Sequence, residues 1–181
     1  IQYLKFISNK IFPIYIFDGL SPSLKQKCII KRKQKKDSLG DKITALELDL
    51  EYNYVSNMTD NHDILNKLET LNKRNVNINS DIFNDLKNFF SELNIPYIQS
   101  PVEADIICGY LYQQKIISAC FTDDLDVMLF GCSKVIKYSN RELEIIDYNK
   151  ILHFSNSSHA QMVAAAIIVG TDYNGGLFTL T

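Results

Sequence analysis

The sequence lacks the features that announce two broad classes of protein. Its four cysteines form no C-x-x-C pair and fit no zinc-binding spacing, which indicates free thiols in a reduced, intracellular compartment. No apolar run approaches the roughly 20 residues that a membrane span requires, and no signal peptide is visible. We therefore expect neither a zinc module nor a membrane protein.

A strong charge of either sign is also missing. The chain carries 19 Lys and Arg against 21 Asp and Glu, for a net charge of -2 at pH 7. Bulk electrostatics therefore do not indicate nucleic acid, and any anionic partner must bind a local patch. With 181 residues, 46% hydrophobic and 22% charged, the composition excludes disordered, collagen-like and coiled-coil classes and suffices for one domain with a core.

Short apolar strands alternate with helices through most of the chain. Strands are predicted at 14–17, 95–98, 117–121, 135–137 and 144–146, and helices at 1–10, 80–93, 101–114 and 159–169. This alternation predicts an α/β fold with a mainly parallel central sheet flanked by helices. The segment 22–79 interrupts this pattern and is predicted to be an insertion in the α/β domain. Its first part is charged and helical, and the Asn-rich piece 60–79 is predicted to be a poorly packed connection.

Acidic side chains cluster at the ends of these predicted elements. Ligands of open α/β sheets lie at the carboxyl ends of strands, so we expect six acids at one edge. Six carboxylates would repel unless cations neutralise them, and hard oxygen ligands without His or Cys favour Mg²⁺ or Mn²⁺ over Zn²⁺. Two such ions roughly 4 Å apart would activate water and stabilise the leaving oxygen of a phosphodiester. The six are Asp18, Glu103, Asp105, Asp124, Asp126 and Asp172.

The same acids have a purely structural interpretation. Asp18 and Gly19 form a common turn pair. The segment from Ser100 to Glu103 fits a capping box, in which Glu103 would only satisfy a backbone N–H. The remaining acids could be solvated loop residues. The capping box, however, does not account for Asp105.

A basic segment, residues 25–36, contains seven Lys and Arg among twelve residues and no acid. Lys25, Arg32 and Lys36 are spaced i, i+7 and i+11, which places them on one helical face. A solvated helix face is the alternative interpretation. Because the segment directly follows Asp18, phosphate binding is favoured, and it would supply salt-dependent affinity without sequence information.

Four motifs in order resemble the XPG/flap-endonuclease (Rad2-type) family of structure-specific 5′ nucleases. They are YIFDG followed by a proline, IPYIQSPVEADIICGYL, FTDDLDVMLFG and IIVGTDYNGG. The resemblance implies the PIN-like 5′ nuclease fold with a helical arch. It further implies a single partial nuclease domain: residues 1–21 remain from the N-region, 22–79 form the arch, and 80–181 form the internal region.

The resemblance also implies the site. The family's metal ligands match Asp18, Glu103, Asp105, Asp124, Asp126 and Asp172. Asp123 matches a position that is not used for metal. Lys25 and Arg32 match arch residues that steer and electrostatically activate the scissile phosphate. The implied cofactor is two Mg²⁺ ions, for which Mn²⁺ can substitute. The implied partner is DNA with a 5′ flap or a single-strand/duplex junction, in replication and repair.

Departures from the family pattern set the remaining expectations. The family's first Asp lies upstream of Ile1, so we expect the chain as given to lack one ligand and to be weak or inactive alone. GGLFTLT replaces the usual start of a hairpin that grips duplex DNA, which puts that grip in doubt. Binding to a sliding clamp would use regions outside this sequence.

Three other functions stay open at this point. One is a 5′→3′ exonuclease of the same family. Another is a non-catalytic nucleic-acid-binding domain that keeps the fold, and the third is an RNase of the related PIN-like fold. For any of them we expect an intracellular location, in the nucleus of a cellular eukaryote or otherwise in a viral replication compartment.

Overall fold

The computed structural model describes residues 2–56, 61–76, 79–139 and 142–177. The chain divides into two compact units, the first formed by residues 1–25 with 89–181 and the second by residues 26–88. No helix in these described ranges is long and apolar enough to cross a membrane.

Helices and short strands alternate, which confirms the predicted α/β class. The helices are α1 Gln2–Ser8, α2 Gln26–Val55, α3 His62–Arg74, α4 Ser80–Glu92, α5 Ala104–Gln113, α6 Tyr148–Phe154 and α7 His159–Val169. The strands are β1 Tyr15–Phe17, β2 Tyr97–Gln99, β3 Cys120–Phe121, β4 Lys134–Ser139 and β5 Glu142–Asp147. Short 3-10 turns cover Ser23–Lys25 and Leu125–Met128.

The described strands form two small sheets. In one, β1 pairs in parallel with β2, with Ile16 opposite Ile98. In the other, β3 pairs in parallel with β4, which pairs antiparallel with β5. Only two residues separate β4 from β5 in the sequence, and so short a connection joins antiparallel rather than parallel neighbours. The parallel pairings are therefore β1–β2 and β3–β4.

Two groups of side chains hold the first unit together. The ring of Phe90 lies 4.7 Å from that of Tyr15 and 5.9 Å from that of Phe17, so Phe90 packs against β1. Three of the four cysteines are buried, and all four thiols are free as expected. The main buried cluster consists of Cys108, Cys120, Val127, Met128, Cys132, Val135 and Tyr148.

The second unit is built on α2 and α3. Ile43 and Leu68 are buried within it, and the Asn53 side-chain amide donates to Asn61 Oδ1 at 2.9 Å. The prediction of a poorly packed connection was therefore wrong for residues 62–74. The spacing of Ile64, Leu68 and Leu71 is helical, and the surrounding asparagines obscure it in the sequence. Residues 60, 77 and 78 of that piece lie outside the described ranges.

Helix α4 begins at Ser80 as predicted, and Asn79 caps it, because its Oδ1 accepts the N–H of Ile82 at 3.1 Å. Two local predictions need correction. Helix α6 was not predicted at all, and Asp147 caps it by accepting from Asn149 and Lys150. Helix α5 begins three residues later than predicted.

Two helical glycines provide a matched test of packing. A Cβ built on Gly109 in α5 would lie 2.8 Å from Cβ of Phe130, whereas one on Gly40 in α2 would meet no atom within 4 Å. We expect Gly109→Ala to lower the free energy of unfolding by about 1–3 kcal/mol through overpacking. Gly40→Ala should raise it by roughly 0.5–1 kcal/mol, because alanine favours the helix. Urea unfolding followed by circular dichroism measures both, and equal effects would contradict the α5 packing.

Candidate metal and phosphate site

Asp18 lies where two distant parts of the chain meet. The parallel pairing of β1 with β2 continues one step further, since the Ser100 N–H donates to the Phe17 carbonyl at 2.9 Å. The next residue is Asp18, and its Oδ1 accepts the backbone N–H of Ala104 at 2.7 Å. Ala104 is the first residue of α5, so the carboxylate satisfies a free N–H at the positive end of the helix.

Gly19 permits this close approach. A Cβ at this position would overlap the Ser100 carbonyl oxygen and lie 2.7 Å from the Pro101 carbonyl carbon. The Gly19 N–H donates to Val102 O at 2.8 Å. The Asp-Gly pair therefore has the structural role of a turn and also aims its carboxylate at the start of α5.

Glu103 is free of the capping role that the sequence suggested. The Ser100 hydroxyl accepts from Val102 N at 3.1 Å, and Glu103 makes no side-chain cap bond. The capping-box prediction is wrong because Asp18, from another part of the chain, supplies the cap. The Glu103 carboxylate instead accepts from the Tyr173 hydroxyl and lies 2.9 Å from Lys25 Nζ, although the residue is only 5% exposed.

Asp124 and Asp126 belong to a fixed turn rather than to a solvated loop. The Thr122 hydroxyl accepts the N–H of Asp124 at 3.1 Å, and Asp124 Oδ1 accepts the N–H of Asp126 at 3.0 Å. The following Val127 and Met128 are buried in the core. The strand end, the capped 3-10 turn and the core thus hold both acids in place.

Asp172 is held by a turn directly after α7. The helix ends at Gly170 with φ of 115°, and the Thr171 hydroxyl donates to Asn174 Oδ1 at 2.9 Å. The Asn174 side-chain amide donates back to the Ile167 carbonyl. Asp172 Oδ2 then lies 3.5 Å from Lys25 Nζ.

The six acids lie close enough to perturb one another. Burial, followed by the charges of Asp124 and Asp18, raises the pKa of Asp105 to about 6. Burial, followed by the charges of Asp124 and Asp172, raises the pKa of Asp126. The structure therefore brings the predicted acids into one negatively charged neighbourhood. Their role as metal ligands stays a prediction.

Lys25 is the cation within this neighbourhood. Burial acts to lower its pKa, but hydrogen bonds and charges from Glu103 and Asp172 outweigh burial, and the net pKa is raised. Burial acts to raise the pKa of Glu103, but hydrogen bonds from Tyr173 and Lys25 hold it below its usual value. Lys25 lies in the 3-10 turn before α2, so of the predicted helical face only Arg32 and Lys36 belong to α2 itself.

Sequence reasoning did not single out Tyr173. Its hydroxyl donates to Glu103 Oε2, its ring centroid lies 5.2 Å from Lys25 Nζ, and it packs edge-on against Phe130 at 6.1 Å. Burial and then Glu103 raise its pKa. The available signal was its position next to Asp172 in the sequence.

The donor set fits a hard divalent cation. All six donors are carboxylates, the hard oxygen ligands that such a cation prefers. Burial and then the charges of neighbouring acids raise the pKa values of Asp105 and Asp126, and a bound cation would relieve the repulsion. Within the described ranges, no three His, Cys, Asp or Glu side chains already converge in ligating geometry. Lys25 contributes the positive charge that holds Glu103 and Asp172 together here.

Parallel strands with acids near their carboxyl ends fit the α/β fold of 5′ nucleases, and comparison with known proteins gives the family. A model of the XPG N-terminal domain matches residues 1–39, and a model of the XPG I-region matches residues 94–172. Together they span well over half of the chain. The chain belongs to the XPG (Rad2-type) family.

Similar individual proteins and solved structures support the same family. Flap endonuclease 1 of Leishmania infantum is 29% identical over 94% of this chain and 41% of its own length. The catalytic core of Rad2 in complex with DNA substrate superposes with a TM-score of 0.67 at 26% identity, over 98% of this chain and 46% of that one. The Holliday junction-resolving enzyme GEN1, in complex with product DNA, Mg²⁺ and Mn²⁺ ions, shares the fold at 18% identity and a TM-score of 0.55, over 93% of this chain and 31% of that one. The chain thus spans less than half the length of these relatives.

The crowding of acids predicts a pH-dependent stability. Because the pKa of Asp105 in the folded chain is raised to about 6, folding must bear the cost of its charge above that pH. Stability should therefore fall as pH rises from about 4 to about 6. In chelator near pH 7.5, Asp105→Asn should stabilise the protein by about 1–2 kcal/mol, allowing for solvent screening, and by little near pH 4.5.

Asp123→Asn is the matched control, because Asp123 is an exposed neighbour of the cluster. Urea unfolding at the two pH values should show a gain for Asp105→Asn alone. A gain of equal size in both variants would indicate a general effect of net charge and contradict local repulsion at Asp105.

Proposed function

We propose that this protein is a metal-dependent, structure-specific 5′ nuclease that hydrolyses DNA phosphodiesters near single-strand/duplex junctions. The observation that carries the proposal is the clustering of six acids from four chain segments, two of which, Glu103 and Asp172, contact the half-buried Lys25. Family membership supports the reaction class, since the matched relatives include flap endonuclease 1 and a Rad2 core bound to DNA substrate.

The acids of the cluster would hold two Mg²⁺ ions, with Mn²⁺ as a substitute, and the ions when bound supply an activated water and stabilise the leaving oxygen. The chain's own contribution is positioning. Asp18 is fixed by its bond to α5, and Asp124 is fixed by its bond to the N–H of Asp126. Pre-positioned carboxylates lower the cost of organising the site during reaction.

Positive charge on the chain would bind the DNA backbone. In the basic segment, Lys27, Arg32 and Lys36 are exposed on the first turns of α2. Such a surface makes sequence-independent, salt-sensitive phosphate contacts. Lys25 would act on the scissile phosphate, and the second unit would serve as the arch for a single-stranded 5′ end. These roles suit recognition of a DNA structure rather than of a sequence.

Cleavage of a labelled 5′-flap DNA by the full-length protein tests the reaction. We expect cutting near the junction with Mg²⁺ and none with chelator. Asp126→Asn should lower the rate on the order of a hundredfold or more, because a metal ligand is lost, and should leave DNA binding in place. Single-turnover rates and binding anisotropy provide the two readouts.

Asp123→Asn again serves as the control and should cut at the wild-type rate. Retained junction binding without any cutting would instead support the non-catalytic binding domain. Stepwise release of single nucleotides from a 5′ end, in place of one cut at the junction, would support the 5′→3′ exonuclease.

A second experiment tests the basic segment. Arg32→Ala should weaken binding to flap DNA and reduce the slope of log affinity against log salt by about 1, because one phosphate contact is lost. Lys67→Ala, at an exposed position on α3, removes the same charge from the same unit and should leave the slope unchanged. Fluorescence anisotropy over a KCl series measures both. Identical slopes for wild type and Arg32→Ala would make the segment an ordinary solvated surface.

A further inference from the structure

Three side chains from two other chain segments converge on the ammonium group of Lys25. Glu103 Oε1 lies 2.9 Å from Nζ, Asp172 Oδ2 lies 3.5 Å from it, and the Tyr173 ring centroid lies 5.2 Å from it. Only 15% of the lysine side chain is exposed. An aromatic face beneath a cation and two carboxylates beside it make a fitted resting place for this ammonium.

This resting place conflicts with the loading of a divalent cation. Both oxygens of Glu103 are engaged, Oε1 by Lys25 and Oε2 by the Tyr173 hydroxyl. An ammonium group and a divalent cation cannot share one partly buried carboxylate edge without strong repulsion. Neutral hydroxyl donors such as Tyr173 and Ser21 can stay, because each carboxylate oxygen has two lone pairs, so the ammonium group is the partner that a divalent cation would displace.

Lys25 is the partner that can leave. Tyr173 is fixed by its backbone bond to the Thr171 hydroxyl at 3.2 Å and by its packing against Phe130. Lys25 projects from a three-residue 3-10 turn on a flexible four-carbon stem. Its ammonium group can move away without any displacement of the turn after α7.

We propose that Lys25 is a tethered counter-ion that a divalent cation displaces from Glu103 and Asp172, with the Tyr173 ring as its resting platform. The inference rests on the proposed function, because it takes these two acids as metal ligands. Displacement would link metal loading to the release of the lysine that acts on phosphate. Before loading, the same lysine would offset the repulsion among the acids.

Binding of Mn²⁺ to the full-length protein, measured by calorimetry without DNA, is the first test. Removing the competing ammonium in Lys25→Met should tighten Mn²⁺ binding about three- to tenfold, as expected for loss of one partly screened ion pair. Lys5→Met, at an exposed position of α1, removes the same charge elsewhere in the first unit and should change affinity little. Circular dichroism checks that both variants are folded.

Chemical labelling of the wild-type protein is the second test and needs no variant. Trace acetylation followed by peptide mass spectrometry reports how accessible each lysine amine is to the reagent. Only 15% of the Lys25 side chain is exposed in its resting place, so displacement of the ammonium group into solvent by Mg²⁺ should increase labelling of Lys25 relative to Lys5.

The outcomes separate the two proposals. Wild-type protein that binds no Mn²⁺ would overturn both the inference and the proposed metal-dependent function. Mn²⁺ binding that Lys25→Met leaves unchanged or weakens would overturn the inference alone. The third outcome is tighter Mn²⁺ binding by Lys25→Met with no Mg²⁺-dependent increase in labelling of Lys25 in the wild-type protein. The ammonium group would then repel the metal ion without leaving its resting place, which would overturn displacement.

Discussion

The hydrogen bond from the Ala104 N–H to Asp18 joins residues 86 positions apart, and the arrangement of the site depends on it. It fixes the end of β1 against the start of α5, with Gly19 leaving room for the Ser100 carbonyl. Because Asp18 satisfies the helix start, Glu103 is free to turn toward Lys25. A single side chain from a distant segment thus converts an ordinary helix cap into the edge of an acidic cluster.

Repulsion among the acids is the cost of this arrangement. Asp105 and Asp126 both have raised pKa values because they are partly buried near other carboxylates. Groups with such perturbed pKa values concentrate at functional sites, where stability is given up for chemistry. The well-packed cluster around Val127 and Val135, both fully buried, supports the turn that carries Asp126. The buried cluster lies next to the acids because it holds the turn of Asp126 in place against their mutual repulsion.

Sequence patterns predicted those features that are set by residues adjacent in the sequence, such as the bounds of a helix. The bounds of α7 at 159–169 were predicted correctly, because its apolar run and cap are contiguous. The rule for strand ends places Asp18 after β1 and Asp124 after β3, and the raised pKa values of Asp105 and Asp126 show that acids of different segments lie near one another. The capping prediction at Ser100 failed because the competing cap comes from Asp18, and no local pattern reveals it. The contacts of Tyr173 depend in the same way on residues that only the fold brings near.

The distribution of charge along α2 opposes the helix's own dipole. Lys27 lies in the first turn, where N–H groups already present positive charge, and the last turn contains no basic residue to offset the negative charge of its carbonyls. A cation misplaced in the first turn costs about 0.3–1 kcal/mol at low ionic strength. A bound polyanion at the first turn would remove part of this penalty, so the ligand would help to order the helix. Added salt would then have two opposite effects. It would screen the unfavourable interaction between Lys27 and the dipole of free α2, and it would lower the affinity of α2 for a phosphate backbone.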